Sequence, residues 1–409
     1  MGEEEKGKRA IRFVPDLLEM LSRFQELELE DVLIEAEELE LDIQPTTLAI
    51  PPTAPPTLAP PEKVKPTELM RVKFTPPVME YPSKVLEVKL GATKASGGTR
   101  GKTVVVGGAT SPAFYTFERP PPNIPAISLD VFDTKEVPLP KAIRMHVEEV
   151  TDDPAEWAKL AVEKFGADMV TVHLMSTDPL IEDASPTKAA KTIEDVLQAV
   201  DVPIIVGGCG DPKKDAAVFE KVAETAEGER VLLSSVTLDM AEAGILEGVA
   251  NAAKKYGHVV LAFTALDLNL ARELNRKLYD FLPKDSIIMD LTTAALGYGL
   301  EYTFSIMERA RIAALMGDPE LQHPLLSGTT NTWAAREAWL KMGPEWEPRE
   351  LRGPLWETVT AVALLLAGVD LFLMMHPAAV RTLKETMNEF INPGKAESEK
   401  LANWVSAEI

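Results

Sequence analysis

The chain has 409 residues, of which 45% are hydrophobic, enough for one large folded domain with appendages. It carries 42 Lys and Arg against 64 Asp and Glu, and the net charge of −22 argues against a general nucleic-acid binder or a protein that docks on anionic membranes. Its single cysteine, Cys209, excludes an internal disulfide and an iron–sulfur cluster held by this chain alone, because such a cluster takes about four thiolates.

No stretch of the sequence predicts a membrane span. The longest apolar stretch, 358–380, is interrupted by Gly368, Asp370 and His376-Pro377, whereas a span needs about 20 apolar residues. The first ten residues are acidic and polar, so they lack the apolar core of a secretory signal. We therefore expect a cytoplasmic protein.

Residues 1–44 are predicted to form an acidic docking arm. They contain five basic and fourteen acidic side chains, with an apolar stripe of helical spacing from Ile11 to Phe24 and then stretches in which Leu alternates with acidic residues. The alternative is a solvated acidic tail, but a free tail gains nothing from ordered apolar faces. Eleven prolines predict a stiff, extended linker at 45–82.

A β-hairpin region is predicted at 83–125. Strand-like residues at 85–90 lead into the Gly-rich stretch 91–101, and a second strand-like run, 103–106, follows. The Gly-rich stretch resembles a phosphate-binding loop in composition, but such a loop must open a helix, whereas Gly101 leads into a strand-like run. We therefore interpret the stretch as the tip of the hairpin.

From 126 to 391 the sequence alternates between strand-like and helical patterns. Eight apolar, strand-like runs lie at 126–131, 168–174, 203–207, 231–235, 258–263, 286–291, 323–327 and 369–375. Helical patterns follow them at 154–165, 187–200, 212–226, 242–256, 268–281, 300–316, 354–367 and 377–391. This rhythm predicts an α/β fold, a (β/α)8 TIM barrel, because parallel strands buried on both faces are continuous apolar runs. An open doubly wound sheet is the alternative, although no Gly-rich turn follows the first strand. The remaining residues, 392–409, form a C-terminal tail.

Functional residues of a barrel lie where its strands end. Two of the five histidines open strands and are interpreted as structural, whereas His173 and His376 end strands and could bind a metal ion with Asp130 or Asp290. The first strand lacks the His-x-His pair that would support such a metal site. No strand contains a lysine for a Schiff base, and none ends in Glu for glycoside chemistry.

The mouth of the predicted barrel instead offers small polar groups. They lie in a Gly-rich loop at 207–210, in the serine pair 234–235 and in the run 327–339. Such hydroxyl, amide and backbone groups can bind a large polar ligand, and Trp333 and Trp339 would add flat apolar area unless they pack beneath the loop. Without a recognisable nucleophile or acid–base pair, the mouth is predicted to hold a cofactor rather than to perform its chemistry.

A family resemblance is carried by five segments: LGATK at 90–94, GGTR at 97–100, FYTFE at 114–118, LDVFD at 129–133 and DMVTVHL at 168–174. They resemble the small subunit of the corrinoid iron–sulfur protein, a family whose archaeal members are delta subunits of the acetyl-CoA decarbonylase/synthase complex. The resemblance covers residues 70–391 and includes the barrel. The N-terminal arm and linker resemble the extension of archaeal members.

The resemblance implies a heterodimer with a larger gamma subunit that works with the acetyl-CoA synthase/CO dehydrogenase subunits. It implies a [4Fe–4S] cluster on the gamma subunit only, in agreement with a single cysteine here, and a corrinoid shared by both subunits near the barrel mouth. The cobalt would carry a methyl group between a methyl-tetrahydropterin and the nickel site for synthesis or cleavage of acetyl-CoA. From barrel geometry we predict that the corrinoid contacts are Ser327, Gly328, Thr329, Thr330, Asn331, Thr332 and Trp333, with Asp130 and His376.

Two alternatives remain. A pterin-dependent methyltransferase on the same barrel would need Asp or Asn groups at strand ends, and Asp130, Asp290 and Asn331 are present. A pure scaffold would support assembly of the complex without contacting a cofactor, and the acidic arm is compatible with either role.

Overall fold

A computed structural model describes residues 79–113 and 121–392. The predicted docking arm 1–44, most of the linker 45–82 and nearly all of the tail 392–409 lie outside the described residues, and the limits of these segments stay predictions. Among the described helices, none is both long enough and apolar enough to cross a membrane.

The structure contains the predicted TIM barrel, preceded by an antiparallel strand pair. The pair consists of β1 (Glu87–Leu90) and β2 (Val104–Gly107). Eight parallel strands then close a barrel in chain order, the last one pairing with the first. They are β3 (Ala126–Phe132), β4 (Met169–His173), β5 (Ile204–Gly207), β6 (Leu232–Val236), β7 (Val259–Phe263), β8 (Ile287–Asp290), β9 (Leu325–Gly328) and β10 (Leu371–Met374).

Helices connect the barrel strands and pack against their outer faces. They are α1 (Lys141–Val147), α2 (Pro154–Glu163), α3 (Pro186–Ala199), α4 (Pro212–Thr225), α5 (Leu238–Glu242), α6 (Leu246–Tyr256), α7 (Leu268–Tyr279), α8 (Leu300–Leu315), α9 (Arg349–Ala367) and α10 (Pro377–Ile391). Several begin with an Asp or Ser whose side chain accepts a backbone N–H of the first turn, as at Asp153, Ser185 and Asp211.

Two helices differ from their predicted limits. The pattern at 242–256 forms helix α6 only from Leu246, because α5 ends at Glu242 and Gly244 between the two helices adopts a φ of +71°, a left-handed conformation that favours glycine. Helix α9 begins at Arg349 and includes Pro354, although proline favours a first turn. Its early turns are held by tertiary contacts of Arg352 and Gly353, which the local pattern does not encode.

Side chains of each barrel strand alternate between the interior and the helix layer. In β3, Ile127 and Leu129 pack toward the helices, whereas Ala126 belongs to the interior cluster. That interior cluster also contains Val88 and Leu90 of β1. The strand pair therefore closes the N-terminal end of the barrel with apolar side chains.

Two histidines at this end make structural contacts. His258 is buried; its Nδ1 accepts the Val231 N–H at 3.3 Å, and its Nε2 lies 2.9 Å from the Ala223 carbonyl oxygen. His323 is buried against Tyr279, with 2.7 Å between Nε2 and the phenol oxygen, and burial lowers the pKa of His323 to about 4. Both rings are consistent with the structural role expected of histidines that open strands.

Arg100 links the hairpin region to the barrel through a buried cluster of hydrogen bonds. Its Nε donates to Glu229 Oε2 at 2.7 Å, and its guanidinium also donates to the carbonyl oxygens of Leu197 and Val200 at 2.7 Å and 2.5 Å. Only 3% of the Arg100 side chain and 10% of the Glu229 side chain are exposed. Removal of one partner therefore leaves buried polar groups unpaired.

We expect Arg100→Ala to lower the free energy of unfolding by about 3–5 kcal/mol, the usual cost of leaving one buried charge without its partner. The matched control is Lys221→Ala, which removes an exposed ion pair with Glu224 and should cost less than about 1 kcal/mol. Chemical denaturation of the full chain measures both. Equal losses in the two variants would contradict the anchoring role of Arg100.

Candidate functional site

The barrel mouth lies at the C-terminal ends of the strands, opposite the hairpin. Side chains alternate along each strand, so Asp130 lies on the same interior face of β3 as Ala126, and His173 lies on the same interior face of β4 as Met169. One layer below, the hydroxyl groups of Ser128 and Thr171 lie 2.7 Å apart inside the barrel. The interior therefore changes from apolar at the hairpin end to polar at the mouth.

Asp130 is the centre of a cluster that joins three elements. Its Oδ2 accepts a hydrogen bond from Thr330 Oγ1 and lies 3.2 Å from His173 Nε2. The imidazole and the carboxylate are in ion-pair contact through Nε2 and Oδ2, while the other carboxylate oxygen, Asp130 Oδ1, is buried without a hydrogen-bond partner. The structure thus brings together an acid and an imidazole at a mouth for which the sequence suggested no acid–base pair.

The predicted contacts at 327–333 lie at the end of β9 and in the segment 329–348, which we call the β9 loop. Ser327 Oγ lies 2.9 Å from Thr329 Oγ1 and 3.0 Å from Thr293 Oγ1, so these three hydroxyl groups are engaged with one another. Asn331 Nδ2 donates to the Thr293 carbonyl oxygen at 3.0 Å. The early part of the loop is thereby fixed to the segment that follows β8.

The β9 loop is anchored on helix α9. Trp333 is buried and lies over Gly353, where an added Cβ would come within 2.2 Å of the indole ring. Buried Arg352 donates to the carbonyl oxygens of Glu337, at 2.7 Å, and Leu340. Trp339 is 44% exposed, and its Nε1 donates to the Trp333 carbonyl oxygen at 3.1 Å. Trp333 therefore packs beneath the loop, whereas Trp339 leaves apolar surface exposed.

His376, predicted to contact the cofactor, is the N-cap of helix α10. Its Nδ1 accepts the Ala378 N–H at 3.1 Å, and the ring is buried against His146 and Trp333 at centroid distances of 4.9 and 6.1 Å. Burial, with a smaller contribution from His146, lowers the pKa of His376 to about 3. The ring is therefore neutral and engaged with its own helix.

Glu357 of α9 is a fully buried carboxyl group beside this cap. Its two oxygens accept the N–H groups of Met375 and His376 at 2.6 and 3.0 Å. Burial raises the pKa of Glu357 to about 8 despite these two donors, with a further contribution from the charge of Asp130. Glu357 therefore ties α9 to the end of β10.

The Gly-rich loop at 207–210 is held from below by Asp215 of α4. The Asp215 carboxylate accepts the N–H groups of Cys209 and Gly210 at 2.8 and 2.9 Å. An added Cβ at Gly208 would come within 2.4 Å of that carboxylate, which explains the glycine there. These two backbone donors are occupied, so they do not serve a ligand.

Asp290, at the end of β8, is a buried carboxyl group with one backbone partner. Its Oδ1 accepts the Thr292 N–H at 2.8 Å, and burial raises the pKa of Asp290 to about 7. Thr292 adopts a φ of +73° and donates its hydroxyl to the Thr264 carbonyl oxygen at 3.0 Å. Among the described residues, no group of three His, Cys, Asp or Glu side chains is arranged to hold a metal ion.

Several buried polar atoms at the mouth have no hydrogen-bond partner. Besides Asp130 Oδ1, they include the hydroxyl groups of Thr264, after β7, and Thr332, in the β9 loop. A buried polar group without a partner costs about 1–3 kcal/mol. The mouth therefore holds hydrogen-bonding capacity that the chain itself leaves unused.

Glu357, Arg352 and Gly353 are among the residues of this site that were not predicted from the sequence. A signal existed for Glu357, since it is the acid nearest to the apolar run 358–367 and a charge beside such a run is often buried with partners. Arg352 and Gly353 act through contacts with residues that are ten to twenty positions away. No local pattern identifies such contacts.

Comparison with known proteins gives consistent matches. A family model described as the CO dehydrogenase/acetyl-CoA synthase delta subunit matches residues 87–344. Acetyl-CoA decarbonylase/synthase complex subunit delta of Archaeoglobus fulgidus is 54% identical, covering 90% of this chain and 82% of that protein. The subunit delta of Methanopyrus kandleri is 47% identical, covering 99% and 100%. Among solved structures, dihydropteroate synthase from Xanthomonas albilineans in complex with 7,8-dihydropteroate aligns with a TM-score of 0.46 and 15% identity, covering 67% of this chain and 95% of that one.

We expect Gly353→Ala to destabilise the chain by about 1–3 kcal/mol, because the new methyl group must displace the Trp333 ring. Helix propensity alone predicts the opposite sign, a gain of up to about 1 kcal/mol. The control, Gly248→Ala in α6, meets only the mobile end of Glu220 and should be neutral or stabilising. Chemical denaturation decides, and a gain in both variants would contradict the packing of Trp333.

Glu357 should make stability depend on pH. Its pKa is about 8 in the folded chain against an ordinary 4.5, so between these values the folded state binds the extra proton and the free energy of unfolding falls as pH rises. Glu357→Gln removes this contribution, which is several kcal/mol at most because one pKa unit corresponds to about 1.4 kcal/mol. Denaturation at pH 5 and pH 8.5 measures the change. The exposed control, Glu385→Gln, should keep the pH dependence of the wild-type chain. If Glu357→Gln also keeps that dependence, the pKa of Glu357 is not raised in the folded chain.

Proposed function

The chain belongs to the family of CO dehydrogenase/acetyl-CoA synthase delta subunits, and we propose that it acts in the acetyl-CoA decarbonylase/synthase complex by covering one face of a corrinoid with its barrel mouth. In this proposal the corrinoid is shared with a larger gamma subunit, which carries the [4Fe–4S] cluster, and the pair works with the acetyl-CoA synthase/CO dehydrogenase subunits. When bound, the cofactor would supply the cobalt that carries a methyl group between a methyl-tetrahydropterin and the nickel site.

The observation that carries the proposal is the unused hydrogen-bonding capacity of the mouth. The atoms without partners include acceptors, such as Asp130 Oδ1, and groups that can both donate and accept, such as the Thr264 and Thr332 hydroxyl groups. A corrinoid carries amide side chains around its ring, and amides offer both donors and acceptors. The residue types at the mouth therefore fit this class of ligand, and a ligand that reaches these groups recovers the cost of leaving them unpaired.

Exposed apolar side chains at the rim of the mouth support the proposal that a partner subunit covers it. Large apolar side chains are exposed in three consecutive loops: Leu266 after β7, Tyr298 after β8 and Trp339 in the β9 loop are 40%, 57% and 44% exposed. Aromatic and aliphatic groups beside a polar centre are typical of surfaces that exclude water when covered. Exclusion of water suits a low-valent metal that reacts with protons and oxidants.

A pterin-dependent methyltransferase is the second candidate, favoured by one specific observation. Asp130 and Asp290 both place buried carboxyl groups at strand ends, and Asn331 lies at the same mouth. A pterin ring would need such Asp or Asn groups. This function predicts that the isolated chain binds a methyl-tetrahydropterin without any cobalt.

The test is the cobalt content of the chain purified with its complex in the absence of oxygen. We expect Thr330→Ala/Asn331→Ala to lose cobalt several-fold, because these changes free Asp130 and detach the β9 loop from Thr293. The matched control, Thr225→Ala/Asn251→Ala, changes the same residue types on the outer helices α4 and α6 and should retain cobalt.

Three results would contradict the corrinoid proposal. Cobalt content could be equal in both double variants, which would show that the β9 loop does not help to bind the cofactor. The wild-type complex could lack a corrinoid spectrum. A cobalt-free chain that binds the methyl-pterin directly would instead support the methyltransferase.

A further inference from the structure

We propose that His173 is the hydrogen-bonding contact between the barrel mouth and a carboxamide group of its ligand, and that Asp130 is the positioning residue that turns His173 Nδ1 toward that ligand. The inference rests on the proposed function only in assuming that an amide-bearing ligand lies at the mouth.

The two nitrogens of His173 have different surroundings. Nε2 is buried and faces Asp130 Oδ2 at 3.2 Å. Nδ1 makes no hydrogen bond within the part of the chain that the structure describes, and unlike Nε2 it is not shut off from solvent. With 23% of its side chain exposed, His173 keeps one nitrogen toward the protein and the other toward the mouth.

Gly207, at the end of β5, lies directly beside His173 Nδ1. An added Cβ at Gly207 would come within 2.6 Å of His173 Nδ1 and 3.2 Å of Cε1. Any other residue would therefore crowd this nitrogen. Gly207 therefore lets the imidazole lie at this position without a neighbouring side chain against Nδ1.

The orientation of the ring is set by two contacts. The imidazole stacks on Phe132 with a centroid distance of 5.2 Å and an interplanar angle of 21°. Asp130 is itself held by the Thr330 hydroxyl, so the carboxylate cannot turn freely away from the ring. A carboxylate that faces one imidazole nitrogen favours a proton on that nitrogen and leaves the other as the acceptor, as in acid–imidazole pairs of enzymes.

The charges around His173 favour its protonated form. Burial lowers the pKa of His173, but the charge of Asp130 and its contact with the ring raise it, Asp133 adds to this, and the net shift is upward. The facing charged groups are Asp130 and Asp133 from β3 and the turn after it, and on the β5 side the neighbour is Gly207. A neutral ring accepts an amide N–H at Nδ1 and a protonated ring donates to an amide carbonyl. A carboxamide can therefore pair with either form.

The other histidines provide internal controls. His258 and His376 are buried, with the Nδ1 of each accepting a backbone N–H, and burial lowers the pKa of both. His323 is also buried, and its Nε2 contacts Tyr279. A reagent that attacks accessible neutral imidazole therefore distinguishes His173 from these three.

The first experiment measures modification of each histidine by diethyl pyrocarbonate in the full chain, from pH 5 to pH 8, with mass spectrometry of the peptides. We expect His173 to react more slowly at pH 6 than a free histidine, because more of it is protonated. Asp130→Asn should speed its modification about tenfold for each pKa unit that the charge supplies. His258 and His323 should be unaffected. If His173 in the wild-type chain has the same pH profile as free histidine, Asp130 does not raise its pKa. That result alone would overturn the role proposed for Asp130.

The second experiment repeats the modification on the complex, with its corrinoid and after the corrinoid is removed, using dicyanocobinamide to refill it. Several-fold protection of His173 on refilling supports the contact. Refilling that leaves His173 as reactive as in the stripped complex overturns this inference, while the proposed function stands. A complex that neither contains nor takes up a corrinoid overturns the proposed function, and the inference fails with it.

Discussion

Closure of the barrel between its first and last strands is the constraint on which the site depends. β3 pairs with β10 from Ala126–Leu371 to Leu129–Met374, although these strands are separated by most of the described chain. This pairing brings α9 and the β9 loop beside the end of β3, and only there can Thr330 reach Asp130. The interaction between residues 200 positions apart is thus a consequence of parallel register and ring closure, not of local sequence.

Helix α9 holds the β9 loop and the end of β10 in place at the mouth. Gly353 accepts the Trp333 ring, Arg352 binds the loop carbonyls, and Glu357 holds the turn between β10 and α10. Burying Arg352 and Glu357 is costly, and the cost is offset only because backbone groups satisfy most of their hydrogen-bonding atoms. The helix therefore carries ionisable residues at positions where an ordinary barrel helix would carry apolar ones. It also fixes the β9 loop, a segment of about twenty residues whose only regular structure is three short 3-10 turns.

The sequence was sufficient to predict the barrel, because continuous apolar runs and helical patterns are properties of single segments. It also located the mouth, since strand ends follow from the runs. It could not predict how side chains at those ends pair. His173 and His376 both end strands, yet one borders the open mouth while the other caps the helix that Pro377 begins. The Gly-rich loop likewise suggested free backbone donors, but Asp215, several residues later, accepts two of them. Such differences depend on lateral neighbours, which local patterns do not specify.

Buried polar groups at the two ends of the barrel differ in how completely they are hydrogen-bonded. At the hairpin end, Arg100 is buried with an acid and several carbonyl oxygens around it, and the apolar plug of β1 and β2 fills the interior. At the mouth, a carboxylate oxygen of Asp130 and the hydroxyl groups of Thr264 and Thr332 are buried without partners. A chain selected for stability alone would not keep these groups, because each costs free energy that an apolar residue of similar size would save. The presence of these groups at the end where barrels bind ligands is explained if a ligand supplies the missing partners. The same groups that weaken the isolated chain then become the source of its affinity.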